Sequence, residues 1–191
     1  ATNSPLSSDP LGVNYFQKVY FHKIGDPQSA DKLVYKRDDQ KEWGFGAQVS
    51  DDGRYLVISV SQGTENKNRI HFQDLKAKDG KVVPLLDDFD AEYQFIDNIG
   101  PVFWFKTNKN ASRGRVVTVD VRTGKMQEIV PESANTLSSA QLVDNKLVLN
   151  YMKDAHSQIT MMDLKGKPVR EVVLPGIGTA ACTVGVARGL L

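Results

Sequence analysis

Short β-branched runs punctuated by Gly, Pro, Asn and Asp, a repeat of about 45 residues, and an aspartate closing the third run of each repeat predict an all-β chain. Each repeat reads as one β-propeller blade of four antiparallel strands. The aspartates are Asp74, Asp120 and Asp163, spaced 46 and 43 residues apart. A four-strand unit at this period cannot bury both faces alone and must stack on neighbours, which is what a blade does. The blade signatures built on Trp-Asp and Gly-His pairs are absent, so the chain falls outside that propeller class. A β-sandwich also uses short strands, at about 8–12-residue spacing, and is the competing architecture.

Taken in chain order, Lys18–Ile24 and Leu33–Tyr35 read as the third and fourth strands of a blade whose first half is missing. The next blade runs Ala47–Ser50, a turn at Asp51-Asp52-Gly53, Arg54–Val60, Arg69–Asp74, a turn at Asp79-Gly80, and Val82–Leu86. Asp-Gly is strong hairpin chemistry because glycine supplies positive φ without steric cost. A further blade follows as Tyr93–Ile96, a turn near Asn98 and Gly100, Val102–Lys106, Arg115–Asp120, a turn at Thr123-Gly124, and Met126–Val130. The last comprises Ala140–Val143, a turn at Asp144-Asn145, Lys146–Tyr151, Gln158–Asp163, a turn at Lys165-Gly166, and Val169–Leu174. The count is about three and a half to four blades. No segment longer than eight residues has helical periodicity. Residues 1–14, rich in Ser, Pro, Asn and Asp, read as a flexible lead-in without the pattern of a signal peptide. Residues 15–178 form the partial propeller, and 179–191 an atypical tail of small and apolar residues.

Composition narrows the function classes. Lys plus Arg number 24 against 23 Asp plus Glu, so the net charge of +1 supplies no field for nucleic acid or an anionic membrane. The longest apolar stretches are strand-length, far below the ~20 residues of a membrane helix. Cys182 is the only cysteine, which excludes an internal disulfide and a cysteine-based zinc site. With no histidine near it along the chain, it reads as an inert small hydrophobe. The near-neutral charge and single thiol fit a cytoplasmic protein.

No site chemistry emerges from the motifs. G-x-S-x-G is absent. His22, His71 and His156 show no metal-ligand spacing; the first two lie in strand patterns and His156 reads as a solvated turn residue. Gly176–Ala181 fits a loose G-x-G-x-x-A but lacks the helix and acidic residue of a dinucleotide turn, and Asp51-Asp52-Gly53 lacks the carboxylates of a calcium loop. Asn110-Ala111-Ser112 is a glycosylation acceptor by pattern. Tyr93, Phe95, Phe103, Trp104 and Phe105 read as core rather than as a base-stacking platform, since beyond Lys106 no cluster of Arg and Lys flanks them. The expectation is no catalytic residue, no metal and no cofactor.

Three strings carry a family resemblance: Tyr20-Phe21-His22-Lys23-Ile24-Gly25 with Gln28-Ser29-Ala30-Asp31, Val49-Ser50-Asp51-Asp52-Gly53-Arg54-Tyr55-Leu56, and Phe103-Trp104-Phe105-Lys106-Thr107-Asn108. Together with Val130-Pro131-Glu132 they resemble the propeller of the prolyl oligopeptidases, from about Tyr15 to Pro175. The resemblance implies a seven-bladed propeller capping an α/β-hydrolase domain and limiting access to short proline-containing peptides. The family's Ser, Asp and His triad belongs to the hydrolase part, and none of the three has a counterpart here, so this stretch is expected to be inactive alone. It further implies a substrate-channel loop at Ser59–Thr64. Familiar members carry a basic side chain and a cysteine there; Ser61 and Thr64 stand in those places and are the candidate channel-lining residues, with a solvated strand end as the other reading. Relatives are cytoplasmic, or periplasmic in some bacteria. A stand-alone interaction module, or a homo-oligomer joined through open blade faces, is the alternative from a different function class. The departure from the family pattern after Gly178 is expected to reflect a slipped coding frame or a truncated gene near Thr179.

Overall fold

A computed structural model describes residues 15–180. Contacts divide the chain into two compact units, one ending at Tyr93 and one beginning at Gln94. The first holds a two-stranded antiparallel pair, β1 (Lys18–Phe21) and β2 (Lys32–Lys36), joined through a single short 3-10 turn at Gln28–Ala30. It also holds a four-stranded sheet in chain order: β3 (Trp43–Val49), β4 (Tyr55–Gln62), β5 (Asn68–Asp74) and β6 (Val83–Leu86). Val19 of β1 packs with Trp43, Phe45, Ile58 and Val60, and Val34 and Tyr35 of β2 close over them.

The second unit contains two further four-stranded sheets, again in chain order. They are β7 (Tyr93–Ile99), β8 (Val102–Thr107), β9 (Arg115–Asp120) and β10 (Met126–Val130), then β11 (Thr136–Val143), β12 (Lys146–Lys153), β13 (His156–Asp163) and β14 (Pro168–Val172). Successive side chains alternate faces. In β8 Trp104 therefore joins Val116, Val130, Leu137, Leu147, Leu149 and Tyr151 between the two sheets. Phe103 and Phe105 point the other way, are fully buried, and meet the Phe95 ring edge-on at 5.1 and 5.6 Å. Burial on both faces explains why β8 reads as an unbroken apolar run.

Each repeat aspartate is the last residue of the third strand and caps the turn that follows. Asp74 Oδ1 accepts from the Lys76 amide at 2.9 Å, Asp120 Oδ1 from the Arg122 amide at 2.9 Å, and Asp163 Oδ1 from the amides of Lys165 and Lys167 at 2.8 and 2.9 Å. A short carboxylate that accepts from the backbone two residues on makes an Asx turn, so the spacing of the repeat is a spacing of identical hairpin caps. Hydrogen bonds from Arg122, side chain first and amide second, hold the Asp120 carboxyl down at about 2. Asp74 is lowered by Arg54 above all, and Asp163 by the Lys167 amide. These carboxyls are harder to protonate in the folded chain than in the unfolded one, whose aspartates titrate near ~3.9. Their contribution is therefore complete above about pH 5 and fades as pH falls through 4 toward the folded values. Thermal midpoints measured from pH 5 to 2 are expected to drop, and Asp120→Asn is expected to flatten part of that acid limb.

Two hairpins turn on two residues with positive φ, Asp144-Asn145 (46° and 55°) and Asp154-Ala155 (45° and 62°). The second has no glycine, and alanine in the left-handed region costs about 1–2 kcal/mol. Ala155→Gly is expected to raise stability by about 0.5–1 kcal/mol in denaturant melts.

Strand identities follow the sequence reading, while several bounds differ. β3 begins at Trp43 and β11 at Thr136, four residues before the expected starts. β7 continues through Asn98 to Ile99, so its turn is Gly100-Pro101; β1 stops at Phe21 and β14 at Val172. His156 is not a turn residue: it pairs with Lys153 and opens β13, because the turn needs only Asp154 and Ala155. The aromatic cluster is core, with Tyr93, Phe103, Trp104 and Phe105 buried. Residues 1–14 and Cys182 lie outside the described residues, as does the tail after Ala180. Within the described part of that tail, Ala180 is held by its amide donating to Ser157 Oγ at 3.0 Å and its carbonyl accepting from Asn150 Nδ2 at 2.8 Å.

Candidate functional site

Ser61 and Thr64 lie where β4 ends and the chain turns toward β5. Ser61 is the penultimate residue of β4, half-buried, and pairs in register with Gly44 and Asn68. A Cβ on Gly44 would stand 2.8 Å from the Ser61 hydroxyl oxygen, so the glycine leaves room for that side chain. Gly63, at φ 60°, bends the backbone out of the strand, and Thr64 follows it, exposed.

Thr64 borders an open cleft of about 420 Å³ lined by Gln62, Gly63, Thr64, Glu65, Lys67 and Phe89. Ser61 is not on that lining. The cleft's lip bears one acidic and one basic side chain, and its apolar wall is Phe89. Arg69 of β5 stacks on Phe89, and its Nη1 donates to Asp87 Oδ1 at 3.0 Å. The same oxygen lies 3.1 Å from His71 Nε2, while His71 Nδ1 meets the Tyr35 hydroxyl at 2.9 Å. Burial opposes the charge on Asp87, but hydrogen bonds from His71 and Arg69 hold its carboxyl below the usual carboxylate range. Asp87 can only accept here, so His71 Nε2 donates to it while the other ring nitrogen meets Tyr35. His71 is thus a buried strut between β2 and β5.

Arg69 and Phe89 escaped the sequence reading. Their relation is a contact between a strand and a distant loop, which no local period reports.

Of the other singled-out residues, His22 is exposed and sits 2.6 Å from Asp31, and His156 is half-buried with the Asp154 carbonyl 3.4 Å from its Nδ1. Asn110 is exposed at φ 51°. Among the described residues no group of three or more His, Cys, Asp or Glu could hold a metal ion. A second hollow of about 600 Å³ lies between β1–β2 and the β3–β6 sheet, with Phe21, Leu33, Val49 and Leu75 on its walls.

Four-stranded sheets in strict chain order, each ending its third strand on the same capped turn, with a loop cleft beside one of them, define a β-propeller chain. Residues 2–187 match the family model described as prolyl oligopeptidase, N-terminal beta-propeller domain. That match takes in nearly the whole sequence, and the chain belongs to this family. It is 34% identical over 173 residues to a prolyl endopeptidase of Elizabethkingia meningoseptica, covering 89% of this chain and 24% of the relative. To prolyl oligopeptidase A of Galerina marginata it is 29% identical over 168 residues, covering 85% and 23%. Among solved structures, a prolyl endopeptidase studied for inter-domain dynamics in catalysis and specificity superposes with a TM-score of 0.82 at 37% identity, covering 92% of this chain and 26% of that one. Apo prolyl oligopeptidase B of Galerina marginata shares the fold, with a TM-score of 0.85 at 24% identity over 94% of this chain and 26% of its own. The chain therefore spans about a quarter of the length of these relatives.

Proposed function

We propose that these blades belong to the substrate-gating propeller of a serine-type prolyl endopeptidase that hydrolyses short peptides on the carboxyl side of proline. The observation that carries the reading is the family match over residues 2–187. In such an enzyme a serine attacks the carbonyl of proline with a histidine as base, chemistry that belongs to an α/β-hydrolase domain outside the matched residues. The propeller's part is access: it admits peptides that are short and flexible. Ser61 and Thr64 stand beside that route, Thr64 on the lip of the cleft and Ser61, off its lining, at the strand end before it. The setting is the cytoplasm, or the periplasm of a bacterium; among the described residues no helix is long and apolar enough to cross a membrane.

Nuclear magnetic resonance of the chain with a blocked proline tripeptide tests the lining role. The amides of Ser61 and Thr64 are expected to shift with peptide concentration, and shifts confined to other surfaces would contradict the assignment.

A second reading concerns assembly, and exposure along β3 favours it. Residues 46–49 of β3 are exposed, whereas most of the corresponding half of β11 is half-buried. Phe21, Leu33 and Val49 are also 59, 47 and 53% exposed beside the 600 Å³ hollow. A second copy of the chain covering this face would remove that apolar surface from water. Sedimentation equilibrium is expected to give the dimer mass, and a monomer at all concentrations would sink this reading.

A further inference from the structure

The residue that opens β5 grips the start of β7 with its backbone and its side chain together. The Asn68 amide donates to the Ala91 carbonyl at 3.0 Å, and two residues further on the Tyr93 amide donates to Asn68 Oδ1 at 2.7 Å. Asn68 Nδ2 in turn donates to the Tyr93 carbonyl at 3.0 Å and to Ser59 Oγ of β4 at 2.7 Å. A backbone N–H can only donate, so the orientation of this buried carboxamide is fixed and each of its polar atoms is engaged.

The β11–β14 sheet repeats the arrangement with the two side chains exchanged. The Ser157 amide donates to the Gly178 carbonyl at 2.9 Å, and two residues on the Ala180 amide donates to Ser157 Oγ at 3.0 Å. Asn150 Nδ2 of β12 donates to the Ala180 carbonyl at 2.8 Å. The positions correspond strand by strand. Asn68 pairs with Ser61 and Ser157 with Met152, while Ser59 and Asn150, each two residues earlier in the second strand, pair with Ile70 and Ile159. Asparagine on the third strand with serine on the second thus becomes serine on the third with asparagine on the second. The β7–β10 sheet uses backbone alone: Gly114 carries no side chain, and the Arg113 carbonyl accepts from the Leu137 amide at 2.7 Å.

The first residue of an entering strand presents one N–H and one C=O, and leaving either buried and unpaired is costly. One acceptor and one donor side chain on the same face satisfy both, from either of two neighbouring strands. We infer that Asn68 with Ser59, and Ser157 with Asn150, are latches of one kind that fix where the following strand begins, and that the Asn68 latch also spaces the walls of the Thr64 cleft. Lys67, next to Asn68, and Phe89, shortly before Tyr93, both stand on the lining of that cleft.

Amide hydrogen exchange of the 191-residue chain, followed residue by residue by nuclear magnetic resonance, tests the latch. Asn68→Ala is expected to speed exchange of the Tyr93 amide about tenfold relative to Ile58, a fully buried residue of β4 whose protection marks a folded sheet. Asn68→Ser keeps an acceptor for the Tyr93 amide but leaves its carbonyl without a donor, and is expected to recover part of the protection. Ser59→Asn combined with Asn68→Ser copies the other sheet and is expected to bring Tyr93 back to within about threefold of the unaltered chain. In the second unit Ser157→Ala is expected to speed the Ala180 amide about tenfold, while Ser157→Thr, which keeps the hydroxyl, leaves it unchanged. The Thr64 amide resonance is expected to move in Asn68→Ala and to stand still in Ser157→Ala. Unchanged Tyr93 exchange in Asn68→Ala, with Ile58 protected, would overturn the latch, and a double variant no better than Asn68→Ala would overturn the common design. A Thr64 resonance indifferent to Asn68→Ala would overturn the role at the cleft. Should Asn68→Ala fail to fold, the two Ser157 variants decide, and equal Ala180 exchange in both would overturn the proposal.

Discussion

Phe105→Ala is expected to cost the second unit about 3–5 kcal/mol, the range for emptying a fully buried aromatic site. Phe105 has no exposed surface, and Phe103 and Phe95 pack against it. Its truncation removes transfer free energy and leaves a cavity between rings that are fixed by their own strands, so little of the space can close. Phe105→Leu keeps most of the volume and is expected to cost under about 1.5 kcal/mol. Trp104, next in the strand and facing the opposite side, reports the transition by fluorescence in denaturant. A loss under about 1 kcal/mol for the alanine variant would mean that this face of β8 is not core.

Gly166→Ala is the second large effect, with an expected loss of about 2–5 kcal/mol from two separate causes. Gly166 has φ 76°, where an L side chain costs about 1–2 kcal/mol. An added Cβ would also stand 2.0 Å from the carbonyl oxygen of Ile129, and backbone cannot swing aside as a long side chain would. Relieving that overlap means moving the β13–β14 turn away from β10, at about 1–3 kcal/mol. The turn itself is tied by the Gly166 amide donating to the Asp163 carbonyl at 3.0 Å. By contrast Gly124, at φ 69° with open space around it, carries only the conformational part, and Gly124→Ala is expected to lose about 1–2 kcal/mol. Equal losses at the two glycines would show that the Ile129 contact is not closely packed.

The capped turns were legible because their signal is local: an aspartate, then glycine or a polar pair, placed where the third strand stops. What the sequence hid has physical reasons as well. Trp43-Gly44-Phe45-Gly46, with two glycines in four residues, lies before the expected start at Ala47, yet it is strand, and Gly44 is small because the Ser61 hydroxyl lies across the pair. Asp154-Ala155 lacks the glycine that usually marks a two-residue hairpin, so His156 passed for a loop residue. Thr64 is a candidate through family resemblance alone, since nothing in its own neighbourhood distinguishes it from any loop threonine. Phe89 and Arg69 were not reachable, because a stack between a strand and a loop 20 residues on leaves no pattern in the chain.

In the proposed function these residues gate a peptidase without supplying its chemistry. Hydrolysis of a short chromogenic peptide with proline at the cleavage site, by this 191-residue chain and beside a serine-directed covalent inhibitor, tests that most directly. The expected result is no turnover above buffer. Turnover that survives repurification and is blocked by the inhibitor would place a nucleophilic serine within these blades and contradict it.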